Sequence, residues 1–154
     1  MRLPMVPLLV LLIAACHPQG NGEQIGAPTA RAAIETFLAG ARSQDMRAMS
    51  NVFGSENGLA RDDEDRREHE MRMLSLMCFM NHDDFRLLSE TPGETRRFLV
   101  IELTRGRLQR QATFSAVVGP RNRWFVSSVP VDELQEFCRA PTAPPAAPRT
   151  TGTH

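Results

Sequence analysis

The amino-acid sequence predicts an α+β fold in which two to three N-terminal helices pack on an antiparallel sheet of about four strands. Three observations support this fold class. Apolar residues recur at helical spacing in the first half of the chain, they alternate at strand spacing in the second half, and short turns join the alternating segments. A short helix over Val131 to Cys138, with Leu134 and Phe137 on one side, is predicted to end the fold.

The helical half opens with an apolar stripe at i, i+3, i+4, i+7, i+8 and i+11. Its members are Ala30, Ala33, Ile34, Phe37, Leu38 and Ala41. Asp45 is the predicted N-cap of a short second helix. A third helix is predicted to begin near Asp62, because consecutive carboxylates there suit the first turn of a helix. Its second half, from Met71 to Met80, is apolar nearly all round and is expected to be buried.

The second half of the chain predicts four strands. They are residues 85–90, 97–105, 108–118 and 123–129. The connections contain Pro92-Gly93, Gly106-Arg107 and a Gly-Pro-Arg-Asn turn, which indicate an antiparallel meander. Either Trp124 with Val126 or Phe125 with Val129 is expected to face the core from the last strand.

The N-terminal segment carries a targeting signal. After Met1-Arg2, the run from Leu3 to Ala15 is apolar apart from two prolines, and it is shorter than the roughly 20 residues that span a bilayer. It ends in Ile-Ala-Ala-Cys at residues 13–16, which resembles the lipobox of bacterial lipoproteins. The resemblance implies a signal peptide over 1–15 and an acylated Cys16 that anchors the chain in a membrane. An aspartate after the cysteine favours inner-membrane retention in that family; His17 points to the outer membrane, with the domain in the periplasm.

Composition divides the remaining chain into three parts. Residues 16–27 are Gly-rich and polar and are predicted to be a flexible tether. Residues 28–139 form the predicted domain, and residues 140–154 are a Pro-, Ala- and Thr-rich tail that is expected to be disordered.

The charge balance excludes some partners. The 18 basic residues, all arginine, equal the 18 acidic ones. Zero net charge argues against nucleic-acid binding, which needs a basic excess. The absence of lysine excludes Schiff-base and P-loop lysine chemistry.

Two cysteines remain once Cys16 is lipidated. Cys78 and Cys138 are an even pair in an oxidising compartment, which predicts a disulfide; two separate buried thiols are the alternative. The bond would fix the C-terminal helix to the helical layer and contribute roughly 4 kcal/mol.

Two residue groups suggest chemistry. His82 with Asp83 or Asp84 is the best acid/base candidate, against a simple turn cap with solvated charges. Soft thioethers of Met71, Met73 and Met77 offer a Cu(I) site in the envelope, against ordinary core packing. His69-Glu70 begins like a zinc-protease helix, but Met73 stands where the second histidine is needed, so we predict no metal site of that kind and no cofactor.

The order of elements resembles a known fold family. The first helix, Ala33 to Ala41, the following segment 45–53 and the late Arg-Trp-Phe-Val strand at 123–126 are similar to the nuclear-transport-factor-2-like (cystatin-like) cone fold, with helices on a curved antiparallel sheet. Members of that family are cone enzymes or binding modules. The resemblance, without a clear inward His–Asp pair, implies a non-catalytic module that binds a small ligand or an envelope protein. A cone enzyme using His82 and a Cu(I)-binding protein remain the alternatives.

Overall fold

The computed structural model of the protein describes residues 24–139. The signal peptide over 1–15, Cys16, most of the predicted tether and the tail over 140–154 lie outside the described residues. Residues 24–139 adopt the predicted α+β fold, with helices packed on a four-stranded antiparallel sheet and a short C-terminal helix.

Two capped helices open the domain, α1 over Ala30–Ser43 and α2 over Met46–Ser50. The Thr29 hydroxyl caps α1 by accepting a backbone N–H bond of 3.1 Å from the first turn. The Asp45 carboxylate caps α2 with a 3.0 Å bond, which confirms the predicted N-cap. The apolar stripe of α1 is buried throughout, so this helix supplies one side of the core.

The third helical segment differs from its prediction. A short hairpin precedes this segment, and each of its strands has two residues: β1 over Gly54–Ser55 and β2 over Gly58–Leu59. The single helix expected from Asp62 is two helices, α3 over Ala60–Asp63 and α4 over Arg66–Phe79.

The break between α3 and α4 has a local cause. The Asp65 carboxylate accepts backbone N–H bonds from Arg67 and Glu68, at 2.9 and 3.3 Å, and so begins a new helix. Glu64 is left in an extended conformation, with φ −111° and ψ 155°, between the two helices.

Only one side of α4 is buried, so the expectation of burial all round is wrong. Met73, Leu76 and Met77 lie in the core. Met71 is 60% exposed and Leu74 is 51% exposed. The helical rotation separates these residues onto two faces.

The four predicted strands are confirmed to within one residue at each end. They are β3 over Asp84–Thr91, β4 over Arg96–Arg105, β5 over Leu108–Gly119 and β6 over Arg123–Ser128. The sheet order is β3-β4-β5-β6 with antiparallel neighbours throughout. A short 3-10 turn over Asp132–Leu134 and α5 over Gln135–Cys138 follow.

The core lies between the helices and one face of the sheet. Its strand residues include Leu99, Ile101, Leu103, Ala112, Phe114 and Ala116. On β6, Trp124 and Val126 join this core, which decides between the two predicted faces. Phe125 is also buried, against the backbone at Gly26 and Gly119.

The predicted tether ends before residue 27. Ala27 is 3% exposed and exchanges two backbone hydrogen bonds with Trp124, at 2.9 and 2.8 Å. Gly26 donates its N–H to the Asn51 carbonyl at 2.7 Å. The edge of β6 needs hydrogen-bond partners, and Ala27 supplies them at Trp124.

Candidate functional site

Ser50 and His69 form a buried pair between the end of α2 and the start of α4. The Ser50 Oγ atom lies 2.9 Å from His69 Nε2. Ser50 is 6% exposed and His69 is 5% exposed. Because water has little access to the pair, the hydroxyl and the imidazole hold a fixed relation to each other.

Glu64 lies on the other side of the His69 ring. Its Oε2 atom is 3.4 Å from His69 Nδ1, and its Oε1 atom is 2.6 Å from the Nη1 atom of Arg72. Arg72 therefore holds one carboxylate oxygen while the second faces the ring. Since a carboxylate only accepts hydrogen bonds, it favours the tautomer with the proton on Nδ1. The Nε2 atom is then the acceptor of the Ser50 hydroxyl proton.

The contact between Glu64 and His69 is close to a hydrogen bond without forming one. Glu64 Oε2 and His69 Nδ1 are buried, and within residues 24–139 neither has another hydrogen-bond partner. Buried polar atoms are almost always paired. The two atoms therefore face each other at 3.4 Å as an ion-pair contact and not as a hydrogen bond.

A pocket of about 580 Å³ opens beside this pair, against α2, α3 and the start of α4. Its lining residues are Met46, Arg47, Ser50, Arg61, Arg66, His69 and Glu70. Its size falls in the range of about 300–1,000 Å³ that small-molecule sites occupy. The wall thus carries three arginines and one glutamate, and Arg66 pairs with that glutamate, Glu70.

Neighbouring side chains orient two of these arginines. Arg61 Nη1 donates to Asn51 Oδ1 at 2.7 Å, and Arg66 Nε donates to Glu70 Oε1 at 2.9 Å. The Arg66 side chain is 92% exposed, so solvent screens its ion pair with Glu70. An anion entering the pocket meets a guanidinium that is only weakly engaged.

His82, the sequence-predicted acid/base residue, is held differently from the prediction. Its ring is 2% exposed, and Nδ1 donates to the Met80 carbonyl at 2.6 Å. Asp83 accepts a 2.8 Å bond from the Gly106 N–H instead, and Asp84 is exposed at the start of β3. Burial lowers the pKa of His82, and within residues 24–139 its Nε2 atom has no hydrogen-bond partner. The structure does not assemble the predicted His–Asp pair.

The methionine group is not assembled either. Met73 and Met77 are in the core, whereas Met71 points to solvent. Residues 24–139 also contain no group of three or more histidine, cysteine or acidic side chains placed to hold a metal ion. Core packing accounts for the two buried thioethers.

The structure brings Cys78 and Cys138 together in a disulfide, with their Cα atoms 4.8 Å apart. The bond joins the end of α4 to α5. It lies far along α4 from His69, so its role here is to hold the C-terminal helix in place.

Sequence reasoning missed the Ser50–His69–Glu64 arrangement. The sequence pattern around His69 suggests only the start of a zinc-protease helix. One signal was present: His69 falls at i−4, i−7 and i−8 from Met73, Leu76 and Met77, which are the buried stripe of α4. A histidine on a buried stripe needs polar partners from another element.

Comparison of the chain with protein-family models, with curated proteins and with solved structures gives no significant match. In the part of the chain that the structure describes, no helix is long and apolar enough to cross a membrane.

Proposed function

We propose that this protein is a lipid-anchored component of the bacterial cell envelope whose pocket binds a small anionic ligand. The observation that carries the proposal is the arginine-rich pocket wall formed by Arg47, Arg61 and Arg66 around a concave site of about 580 Å³. A concave site of this size suits a small molecule better than a protein surface, which is usually flatter and larger.

The chemistry of the wall favours a carboxylate or a phosphate on the ligand. Guanidinium groups donate paired hydrogen bonds to such groups, and charge-assisted bonds are about twice as strong as neutral ones. Met46 and the arginine stems offer apolar contact for the rest of the ligand. The ligand class is therefore a small organic anion with a short apolar part.

The location follows from the N-terminal sequence. Ile-Ala-Ala-Cys at residues 13–16 supports acylation at Cys16, and His17 supports the outer membrane with the domain facing the periplasm. A disulfide between Cys78 and Cys138 suits that oxidising compartment. The layout of helices on an antiparallel meander supports membership of the nuclear-transport-factor-2-like cone folds.

Ligand binding is tested by titrating the full-length lipoprotein, purified in detergent, with glutarate and with neutral glutaramide in a calorimeter. We expect glutarate to bind and glutaramide to bind at least tenfold more weakly, because only the anion engages the arginines. Arg66→Gln should weaken glutarate binding about threefold to fivefold, the effect of one partly screened charge.

The matched control is Arg86→Gln. Arg86 is also an exposed arginine in an ion pair, 2.7 Å from Glu102, but it lies on β3 and outside the pocket. Glutarate binding should be unchanged in this variant. Equal loss in both variants, or equal affinity for the acid and the amide, would contradict the proposal.

The anchor is tested separately with Cys16→Ser. The wild-type chain should fractionate with outer membranes, and the variant should not, because it cannot carry the diacylglyceryl group. Mass spectrometry of the wild-type N-terminal peptide should show the acyl chains on Cys16. An unmodified Cys16 in that peptide would exclude the anchor.

A further inference from the structure

The side chains of Ser50, His69 and Glu64 form a line of hydroxyl, imidazole and carboxylate. The imidazole faces the hydroxyl with Nε2 at 2.9 Å and the carboxylate with Nδ1 at 3.4 Å. This order of atoms is the one that activates a serine for attack on a carbonyl carbon. The serine and the histidine both line the pocket.

We propose that Ser50 is the nucleophile of an acyl-transfer reaction in which the protein hydrolyses a small anionic ester bound in the arginine-lined pocket. The charge of the substrate rests on the proposed function; the activation of Ser50 does not. No motif in the sequence marks this serine, since it lies at the end of a five-residue helix rather than on a strand-to-helix turn.

His69 is placed to act as the general base. In the tautomer that Glu64 favours, Nε2 carries a lone pair directed at the Ser50 hydroxyl proton. Both groups are almost fully buried, and the pocket that they line is the side from which substrate and water would approach. His69 and Ser50 lie on different helices, and the packing of α2 against α4 fixes their separation.

Glu64 is a positioning residue that acts through His69. Its Oε2 atom orients the ring and stabilises the imidazolium that forms when His69 takes the proton. Arg72 binds the other oxygen at 2.6 Å and keeps the carboxylate in place. The two oxygens thus serve two different partners.

The reaction balances with water as the only co-reactant. The Ser50 oxygen bonds to the ester carbonyl carbon while its proton moves to His69 Nε2. The bond from that carbon to the alcohol oxygen then breaks, and the alcohol leaves with the proton from His69. Water attacks the acyl-serine, gives a proton to His69, and the Ser50 oxygen leaves and regains that proton, which releases the acid.

The pocket also holds positive charge for the tetrahedral intermediate. Its carbonyl oxygen becomes negative, and Arg47 and Arg61 line the same cavity as the serine. A guanidinium donor directed at a developing oxyanion stabilises it more than the neutral ester. Arg66, at the exposed side, is left to bind the acidic group of the substrate.

The first test is covalent labelling of the full-length lipoprotein with a fluorophosphonate, followed by peptide mass spectrometry. We expect one adduct, on Ser50, because the His69 imidazole lies 2.9 Å from its hydroxyl. His69→Gln should lower the labelling rate about 100-fold or more, because the general base is gone.

Two matched variants control for burial and for folding. Ser127→Ala removes a serine that bonds to another serine, Ser115, at 2.8 Å, and it should leave Ser50 labelling unchanged. His82→Gln removes the other buried histidine and should also leave labelling unchanged. Circular dichroism spectra of each variant should match that of the wild type, which checks that the fold is retained. If a variant unfolds, Ser50→Thr is used in its place and should be labelled at least tenfold more slowly than the wild type.

The second test measures hydrolysis of mono-4-nitrophenyl glutarate and of neutral 4-nitrophenyl butanoate. The anionic ester should react faster, and Ser50→Ala should abolish hydrolysis of both while still binding glutarate. Glu64→Gln should lower kcat about tenfold with KM unchanged, which a purely structural role does not produce.

The outcomes separate the two proposals. Failure of glutarate binding with normal Ser50 labelling overturns the ligand class and keeps the nucleophile. Glutarate binding without labelling of Ser50, or labelling that is unaltered in His69→Gln, overturns the nucleophile and leaves Ser50–His69 as a link between two helices.

Discussion

The disulfide between Cys78 and Cys138 makes a quantitative prediction about stability. The two residues are 60 positions apart in sequence, so the bond closes a loop that contains the whole sheet. A loop of that length restricts the unfolded chain by about 4 kcal/mol according to chain entropy. Removing the bond with Cys78→Ala and Cys138→Ala together should therefore lower the free energy of unfolding by about 4 kcal/mol.

The loss should affect the whole domain and not only its C-terminal end. Leu134 and Phe137 are fully buried, and Arg105 donates to the Phe137 carbonyl, so α5 keeps its docking contacts without the bond. For a domain of residues 24–139, about 4 kcal/mol corresponds to a fall in Tm of roughly 16 °C.

Urea unfolding followed by fluorescence of Trp124, the only tryptophan and 8% exposed, measures the change. Reduction of the wild type with dithiothreitol should give the same loss, and the double alanine variant should not respond to it. A loss below about 1 kcal/mol, or a variant whose C-terminal segment is cleaved by protease while Trp124 unfolding is unchanged, would refute the reasoning.

Two further predictions concern single residues. Burial lowers the pKa of His82 from its ordinary value of 6.5, so below pH 6.5 the unfolded chain binds more protons than the fold and stability falls. Each pH unit lowers the free energy of unfolding by at most about 1.4 kcal/mol. In urea unfolding measured between pH 7.5 and 5.5, His82→Gln should flatten the dependence of this free energy on pH. An unchanged slope would show that His82 is not the residue responsible. A Cβ at Gly54 would lie 2.0 Å from the Gly58 carbonyl oxygen, so Gly54→Ala should destabilise by about 2–3 kcal/mol. At Gly106 an added Cβ meets no atom within 4 Å, but φ is +56°, so Gly106→Ala should lower the free energy of unfolding by about 1 kcal/mol in the same assay. Equal losses in the Gly54 and Gly106 variants would contradict the steric argument.

Elements with a sustained period could be predicted from the sequence. The four strands were recognised because alternation and turn residues act locally, within one strand and its hairpin. The stripe of α1 was recognised for the same reason. The break before α4 was missed because four consecutive acidic residues, 62–65, all suit a helix start, and the backbone N–H groups that each one reaches decide between them.

Long-range pairing was the limit of sequence reasoning at the site. Ser50 and His69 are 19 residues apart and sit on different helices, so no local pattern joins them. His82 and Asp83 were preferred because they are neighbours in sequence. In the structure the aspartate bonds to the β4–β5 turn while the imidazole is buried.

The helix break before α4 is what allows Glu64 to meet His69. The two residues are five apart, and on a continuous helix their side chains would point about 140° away from each other. Because Asp65 caps a new helix, Glu64 stays extended and its side chain returns to the buried face that His69 occupies. The acidic residues 62–65 therefore have two separate roles. Asp65 caps the start of α4, and Glu64, in the extended segment before it, contacts His69, which it could not do on a continuous helix.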